Sequence, residues 1–190
     1  FKDTIDYPGL LDVLKNQDID RFLFTVEFFP QEGKYHYDGH RKCSVTFHPE
    51  ESKEHNNICP KCGRPLTLGV LHRVINLADR NVAKKEGRAG YKRLIPLREI
   101  IANSLGVGSK ARLVEDTYRK LTTYFGNELR ILIDLPEKDL FSFTEEKIAR
   151  AVINVRKENV EIHPGYDGVY GKILIPEESH DRVTTQRSLF

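Results

Sequence analysis

His40-Arg-Lys-Cys43 and Cys59-Pro-Lys-Cys62 are two close pairs of metal-ligating residues, with fifteen residues between them. Structural zinc sites use four Cys or His ligands in a closed tetrahedron, and two such pairs joined by a folded loop supply four. The pattern therefore predicts a structural zinc (Zn) ion held by the side chains of His40, Cys43, Cys59 and Cys62. A small metal-stapled module of the zinc-ribbon kind is expected around it.

The pattern leaves the identity of the fourth ligand open, because other histidines lie nearby. His40 ranks first for its spacing to Cys43, and His48 ranks second. The remaining candidates are His36, His55 and His72. The alternative to a metal site is a set of three reduced thiols without a common role.

The part of the chain that precedes the first pair of candidate ligands is short. Residues 1–23 carry a brief helical pattern, with Leu10, Leu11, Val13 and Leu14 on a charged background. Residues 22–29 are rich in aromatic and β-branched side chains and are predicted to form a strand that stops at Pro30. We expect a loop over 31–39 and assign the zinc-binding module to residues 24–80.

On the C-terminal side the pattern becomes helical. Three helices are predicted, over 97–105, 110–125 and 144–156, followed by a β-hairpin within 160–175. We assign residues 81–175 to a helical DNA-binding domain closed by this hairpin, and residues 176–190 to a flexible tail. The fold class expected is α+β, with a zinc ribbon-like module and a small helical domain of the helix-hairpin-helix kind.

Composition limits the classes of protein. With 190 residues and 39% hydrophobic content the chain can bury a core, which argues against disorder. The formal net charge of +2 does not by itself indicate a nucleic acid or a membrane. Residues 76–98, however, hold seven basic residues against two acidic ones. No apolar run is long enough to cross a bilayer and no secretory signal begins the chain, so we expect a cytoplasmic protein without a membrane partner.

A glycine-containing turn separates the first two predicted helices. Leu105-Gly-Val-Gly-Ser-Lys110 has the form of a helix-hairpin-helix, in which backbone N–H groups approach a DNA phosphate without reading sequence. The candidate DNA contacts are Gly106, Val107, Gly108, Ser109 and Lys110. The alternative is an ordinary helix–helix turn. A second hairpin near Leu140–Thr144 lacks the glycines.

Two further loops contain residues suited to ligands. The loop Glu32–His40 interleaves Lys34, Tyr35 and Tyr37, which could contact a phosphate and stack on an extruded base, although a loop packed on the zinc module explains them equally well. The segment Pro164–Gly171 could hold a ligand, but tight turns also require its glycines.

The last residues, Thr185-Gln-Arg-Ser-Leu-Phe190, resemble the Gln-x-x-Leu-Phe peptide by which bacterial repair proteins bind the sliding clamp. Gln186, Leu189 and Phe190 would be the contact residues, with the two apolar side chains filling a pocket. The sequence thus suggests the sliding clamp as a partner.

Long stretches of this chain resemble the C-terminal half of the endonuclease Q family. The stretches are Val26–Cys43, Cys59–Val74 with Leu77–Arg80, and Pro164–Gly171. The resemblance implies a zinc-binding module and a helical domain that follow a PHP metallo-hydrolase domain, with residues 1–23 as that domain's last element. It also implies that the catalytic centre, with its divalent metal ions, lies before Phe1, so we assign no catalytic residue here.

What the resemblance implies about activity is a DNA repair nuclease that nicks on the 5′ side of deaminated bases such as deoxyuridine or deoxyinosine. This chain would bind the DNA and present the lesion. The rival interpretation is a non-catalytic zinc-containing interaction module of a helicase-related repair or replication protein. A free-standing zinc enzyme is disfavoured, because four protein ligands leave no open coordination position.

Overall fold

The structure, a computed structural model, describes residues 1–2, 4–80 and 87–176. Two single-turn 3-10 helices occur, at Pro30–Glu32 and Arg41–Cys43. The α-helices are α1 (Tyr7–Asn16), α2 (Pro49–Glu54), α3 (Val70–Leu77), α4 (Leu97–Leu105), α5 (Arg112–Phe125), α6 (Glu128–Ile133), α7 (Glu137–Phe143) and α8 (Glu146–Arg156). The strands are β1 (Phe24–Glu27), β2 (Asp38–His40), β3 (Val45–Phe47), β4 (Gly90–Arg93), β5 (Glu161–His163) and β6 (Lys172–Leu174).

Helices α4 to α8 enclose the main hydrophobic core. Leu97, Ile100 and Ile101 recur at helical spacing in α4 and are fully buried. They pack in one cluster with the apolar residues of α8, which is buried on most of its surface. Helix α8 therefore forms the centre of the bundle, and the exposed turns lie at its periphery.

The three helices predicted from the sequence are present as α4, α5 and α8, but two more lie between them. Helices α6 and α7 occupy the segment between α5 and α8 that the sequence left unassigned. Asn127 begins α6, since its side chain accepts a hydrogen bond from the Arg130 N–H at 2.8 Å, and Pro136 precedes α7. Each helix spans fewer than two full turns, too short for a clear apolar period.

Partly buried polar contacts set the arrangement of these helices. One carboxylate oxygen of Glu128 accepts from the Leu97 N–H at 2.7 Å, and the other accepts from the Tyr118 hydroxyl at 3.0 Å. The Arg156 guanidinium donates to the backbone carbonyls of Ile131, Leu132 and Leu135 at the end of α6. These contacts hold α4 and α5 against α6, and α8 against the C-terminal end of α6.

The predicted strand in residues 22–29 is confirmed as the shorter β1, and its partner was not predicted. Strand β1 pairs in parallel with β4, with Phe24 opposite Gly90 and Glu27 opposite Arg93. This pairing joins residues separated by more than sixty positions. The predicted C-terminal hairpin is confirmed as the antiparallel pair β5–β6, with Ile162 opposite Ile173.

The helices and small sheets together confirm the α+β class. Helices α2 and α3 and the short strands β2 and β3 lie within the stretch 24–80 assigned to the zinc-binding module. Among the described residues, no helix combines the length and apolar character needed to cross a bilayer.

Candidate metal centre and nucleic-acid interface

The structure brings the four predicted metal ligands together. One potential ligand atom from each of His40, Cys43, Cys59 and Cys62 lies within 4.8 Å of the other three. His40 Nδ1 is 3.3 Å from Cys62 Sγ. Tetrahedral zinc with bonds of about 2.0 Å to nitrogen and 2.3 Å to sulfur would separate its ligand atoms by about 3.5 to 3.8 Å. The cluster is therefore close to the size that a metal ion requires.

Each pair of ligands sits on a tight turn. In the first, Ser44 has a left-handed backbone with φ of 50° and its N–H donates to the Arg41 carbonyl at 3.1 Å. In the second, Gly63 has φ of 69° and its N–H donates to the Cys59 carbonyl at 2.9 Å. The Lys61 ammonium donates to the Cys43 carbonyl at 2.8 Å, which ties the two turns together.

The other nearby histidines are engaged elsewhere. His48 begins α2, where its Nδ1 accepts from the Glu50 N–H at 3.4 Å. His72 Nδ1 lies 2.6 Å from the buried Asp38 carboxylate. His36 and His55 stack on Tyr37 and Phe47, respectively. The structure thus places His40, and not His48, in the metal-sized cluster.

The thiols of the cluster have unequal acidities. The pKa of Cys43 is raised to about 11, first by burial and then by the neighbouring thiols of Cys62 and Cys59. At Cys59 burial acts to raise the pKa, but hydrogen bonds from His40 and from backbone amides outweigh it and lower the pKa to about 6. Close thiols resist ionising together, which a bound cation would relieve.

Little apolar packing supports this module. Its separate buried cluster consists of Val45, Cys59 and Leu66, with Cys43 and Phe47 packed against it. Two of these five residues are themselves candidate ligands. A core this small contributes little folding free energy, so a metal ion at the cluster would supply much of the module's stability. The donor set of three thiolates and one imidazole suits such a closed structural site.

The predicted glycine turn lies between α4 and α5 and is exposed along its whole length, from Gly106 to Lys110. Gly106 ends α4 with a left-handed φ of 65°. Within the described part of the chain, the N–H groups of Gly108, Ser109 and Lys110 have no acceptor. A side-chain Cβ placed on Gly108 would meet nothing within 4 Å. The turn therefore offers open backbone donors beside the N-terminus of the 14-residue helix α5.

The two loops noted in the sequence contact each other. The Tyr37 N–H donates to the Gly165 carbonyl at 2.9 Å, and the Gly168 N–H donates to the Lys34 carbonyl at 2.9 Å. A Cβ at Gly165 or Gly171 would collide with backbone of residues 31–33. The glycines of 164–171 thus allow this segment to pack closely against the backbone of residues 31–33. The sequence had suggested only that tight turns require them.

Asp167 and Arg41 are site residues that the sequence analysis did not single out. The Asp167 carboxylate accepts hydrogen bonds from the Arg41 N–H and from the Thr67 hydroxyl. The bond to Arg41 joins the 164–171 loop to the turn 40–43, which carries the first pair of candidate ligands. In the sequence, Asp167 precedes a glycine and reads only as a turn residue. Its partners Arg41 and Thr67 lie 126 and 100 positions earlier in the chain, so no local signal could have found these contacts.

Of the remaining predicted residues, Lys34 lies over the ring of Tyr170, 4.9 Å from its centroid, and Tyr35 is half exposed. Tyr37 is partly buried against His36 and His48. Gln186, Leu189 and Phe190 lie outside the described residues.

Comparison with known proteins gives related chains of greater length. Residues 96–159 match the family model described as the MJ0043 C-terminal domain. The chain is 37% identical over 174 residues to the uncharacterized protein MJ0043 of Methanocaldococcus jannaschii, covering 89% of this chain and 22% of that protein. It is 30% identical over 171 residues to the uncharacterized protein YqxK of Bacillus subtilis, covering 90% of this chain and 40% of that one. The chain thus spans less than half the length of these relatives.

Two solved structures are similar to this chain over nearly its whole length. The lesion-specific endonuclease PfuEndoQ from Pyrococcus furiosus superposes with a TM-score of 0.81 at 32% identity, over 94% of this chain and 44% of that one. An endonuclease Q complex with a 27-mer duplex carrying an abasic lesion at the active site gives a TM-score of 0.74 at 32% identity, over 93% and 44%. The resemblance predicted from the sequence is therefore confirmed: this chain is similar to the C-terminal half of endonuclease Q.

Proposed function

We propose that this chain is the DNA-binding and lesion-presenting region of a metal-dependent endonuclease that nicks DNA 5′ of deaminated bases. The observation that carries the proposal is the similarity to endonuclease Q over 94% of the chain. The chain that shows this similarity also carries the metal cluster, the exposed glycine turn and the C-terminal hairpin. Endonuclease Q has itself been solved with duplex DNA, which supports DNA as the partner here.

In this proposal the ion at His40, Cys43, Cys59 and Cys62 is a structural zinc. The donor set supports zinc, because imidazole and thiolates in a closed tetrahedron are its usual structural ligands. The ion would neutralise the thiolates and hold both turns in place. It would not activate water, since all four positions are taken by protein.

The proposed grip on DNA is the turn Gly106–Lys110. Its open N–H groups, the dipole of α5 and the Lys110 ammonium all favour a phosphate, and none of them distinguishes bases. Binding through this turn would therefore be independent of sequence and sensitive to salt. Lesion choice would come from the loop that carries Lys34, Tyr35 and Tyr37, where an extruded base could stack.

The chemistry itself is proposed to belong to a PHP hydrolase region joined to this one. Divalent metal ions there would polarise the attacking water, while the region described here would position the strand. Uracil and hypoxanthine, the products of base deamination, are the lesions proposed. The boundaries at residues 23, 80 and 175 are part of the same proposal.

A sliding clamp is proposed as a second partner through Gln186, Leu189 and Phe190. The support is the sequence pattern alone, five residues at the tail. Binding to an immobilised clamp should be lost when residues 186–190 are removed. Binding that survives the truncation would show that these residues do not bind the clamp.

DNA binding by this chain tests the proposal directly. The experiment measures fluorescence anisotropy of a labelled duplex, either undamaged or with one deoxyuridine, as the zinc-loaded chain is added. It is repeated at 50 to 200 mM salt, because binding through phosphate contacts loses about tenfold or more in affinity over this range. We expect saturable binding to both duplexes and tighter binding to the damaged one. A chain that binds neither duplex at low salt contradicts the proposal.

A further inference from the structure

We infer that β1 and β4 belong to a larger parallel sheet, which a strand of the hydrolase region completes by pairing with the free edge of β1. The inference rests on the proposed function, because that function requires a hydrolase region joined to this one. It assigns a contact surface to the two regions and a mode of contact, strand addition, to that surface.

The sheet formed by β1 and β4 is too small to be stable by itself. The two strands run in parallel over four residues each, from Phe24 opposite Gly90 to Glu27 opposite Arg93. Parallel sheets occur almost always with both faces covered, and an isolated pair of strands is at best marginally stable in water. Among residues 4–80 and 87–176 neither strand pairs with a third one. A further strand is therefore expected to complete the pair.

The outer edge of β1 offers a row of backbone groups to such a strand. Within the described part of the chain, β1 makes one backbone hydrogen bond besides its pairing with β4. This bond runs from the Leu94 N–H to the Glu27 carbonyl at 2.9 Å and extends the same pairing. A strand with a partner on one side leaves unpaired N–H and C=O groups along the other. Such an edge is the usual place at which an extended segment joins a sheet.

The order of the elements indicates which strand would be added. Helix α1 leads into β1, and its C-terminal part lies beside the sheet across a groove of about 390 Å³. The groove is lined by Leu14 and Ile19 on one side and by Thr25, Glu27 and Tyr91 on the other. A helix that leads into a parallel strand is the second half of a βαβ unit, whose first strand lies in the same sheet. We therefore expect the strand before α1 in the joined protein to pair with β1.

The face of the sheet opposite the groove is apolar and exposed. Because side chains alternate along a strand, Phe24, Val26 and Phe28 point away from Thr25 and Glu27. Val26 is 48% exposed, and Phe28, which directly follows β1, is 67% exposed. A row of exposed apolar side chains on a parallel sheet indicates a face that another part of the protein covers.

Helix α1 carries a second exposed apolar row. Tyr7, Leu11 and Leu14 recur at the spacing of one helical face and are all exposed, whereas Val13 is buried. The helix thus has two apolar sides and buries one of them within this chain. A single added strand would not cover both the helix and the sheet, so a folded region that supplies the strand fits this surface better.

The length of the related proteins supports a partner of that size. The chain covers 44% of each of the two endonuclease Q chains. It covers 22% of MJ0043 and 40% of YqxK. More than half of each related protein therefore lies outside the matched part. With β1 in the hydrolase sheet, the boundary proposed at residue 23 would fall inside one packed unit.

The test compares backbone hydrogen–deuterium exchange, measured by mass spectrometry, in the zinc-loaded chain and in the joined protein, which carries the hydrolase region before it. The chain is measured at two concentrations, because pairing of β1 between two copies would give protection that grows with concentration. Phe28→Asp is the variant, since it places a charge on the exposed face of the sheet. Leu129→Asp is the matched control, because Leu129 is 54% exposed but lies on α6. The melting temperature of the chain alone verifies that both variants fold.

We expect residues 22–29 to exchange at least about tenfold more slowly in the joined protein than in the chain alone, with α5 unchanged. Phe28→Asp should remove this protection from the joined protein, and Leu129→Asp should retain it. Equal exchange of residues 22–29 in the two proteins would overturn the inference, as would protection in the chain alone that grows with concentration.

Nicking of a duplex with one deoxyuridine separates this inference from the proposed function. A joined protein that nicks this DNA without protecting residues 22–29 would overturn the inference and leave the proposed function standing. A joined protein that protects residues 22–29 and does not nick would support the inference and contradict the proposed function.

Discussion

The Asp167 carboxylate accepts a hydrogen bond of 2.6 Å from the backbone N–H of Arg41, a residue 126 positions earlier in the chain. Arg41 directly follows the candidate ligand His40, so the contact ties the C-terminal hairpin loop to the first metal turn. Burial acts to raise the pKa of Asp167, but the hydrogen bonds from Arg41 and Thr67 outweigh it and lower the pKa. The order of the loop should therefore depend on the metal that holds the turn.

Removal of a cysteine ligand should remove the metal and unfold the module. Cys59→Ser leaves three ligands, and the buried cluster of Val45, Cys59 and Leu66 is too small to replace the lost binding energy. We expect zinc, measured by mass spectrometry of purified protein, to fall from one ion per chain to well below one. Proteolysis should then cut within residues 38–67, while α4 to α8 stay protected.

His48→Gln is the matched control for this experiment, since His48 is the rival ligand and lies outside the cluster. This variant should keep one zinc per chain. Loss of the His48 cap on α2 should lower the free energy of unfolding by about 1 kcal/mol or less. Loss of zinc in His48→Gln, with retention in His40→Gln, would show that the ligand set is wrong.

Metal binding should release protons and strengthen with pH. The pKa of Cys43, about 11, keeps that thiol protonated at pH 7, and zinc requires its thiolate. At least one proton should leave for each zinc ion bound. The apparent affinity for zinc should therefore rise about tenfold for each unit by which the pH is raised. Below pH 6 the Cys59 thiolate, with a pKa of about 6, also takes up a proton, so the dependence becomes steeper. Calorimetry in buffers of different ionisation enthalpy counts the protons, and a count of zero at pH 7 would contradict this cluster.

A side chain on Gly108 should weaken binding to DNA of any sequence. Gly108→Val places a bulky group where a phosphate would approach, yet its Cβ meets nothing within 4 Å in the folded chain. We expect about a tenfold loss of affinity in anisotropy titrations without a change in melting temperature. Gly90→Val is the control, because a Cβ there is equally unhindered and β4 tolerates a branched residue. Equal affinities for the two variants would refute the proposed backbone grip.

The helical bundle should depend strongly on one arginine. Arg156→Met removes the donors to three backbone carbonyls at the end of α6, leaving partly buried acceptors unpaired. We expect a loss of about 3 kcal/mol in the free energy of unfolding by urea. The comparison is Arg150→Met, which breaks an exposed pair with Glu146 and should cost about 0.5 kcal/mol or less. Similar costs for both would show that Arg156 does not cap α6 in solution.

The features predicted from sequence are those that short-range patterns specify. The pairs around Cys43 and Cys59 pointed to the four residues that the structure clusters, since a metal site requires close spacing within each pair. Helices α4, α5 and α8 show a clear apolar period, and the hairpin β5–β6 has turn residues between alternating strands. In these segments the local sequence and the fold agree.

The features that escaped prediction depend on distant contacts or on very short elements. Glu128 and the Arg156 guanidinium fix α6 through hydrogen bonds to residues distant in sequence, and both α6 and α7 are too short to show a clear apolar period. The parallel pairing of β1 with β4 joins distant segments, and nothing in either strand specifies its partner. The same holds for the contact of Asp167 with Arg41, which completes the candidate site.

We propose that this chain positions damaged DNA for a hydrolase region joined to it. The most direct measurement is the nicking of a 5′-labelled duplex that holds one deoxyuridine, in magnesium or manganese. It compares the chain alone with a protein in which a PHP hydrolase region precedes it. We predict a cut just 5′ of the deoxyuridine by the joined protein and none by the chain alone. If neither protein cuts, or if the chain cuts without the hydrolase region, the proposed division of labour is wrong.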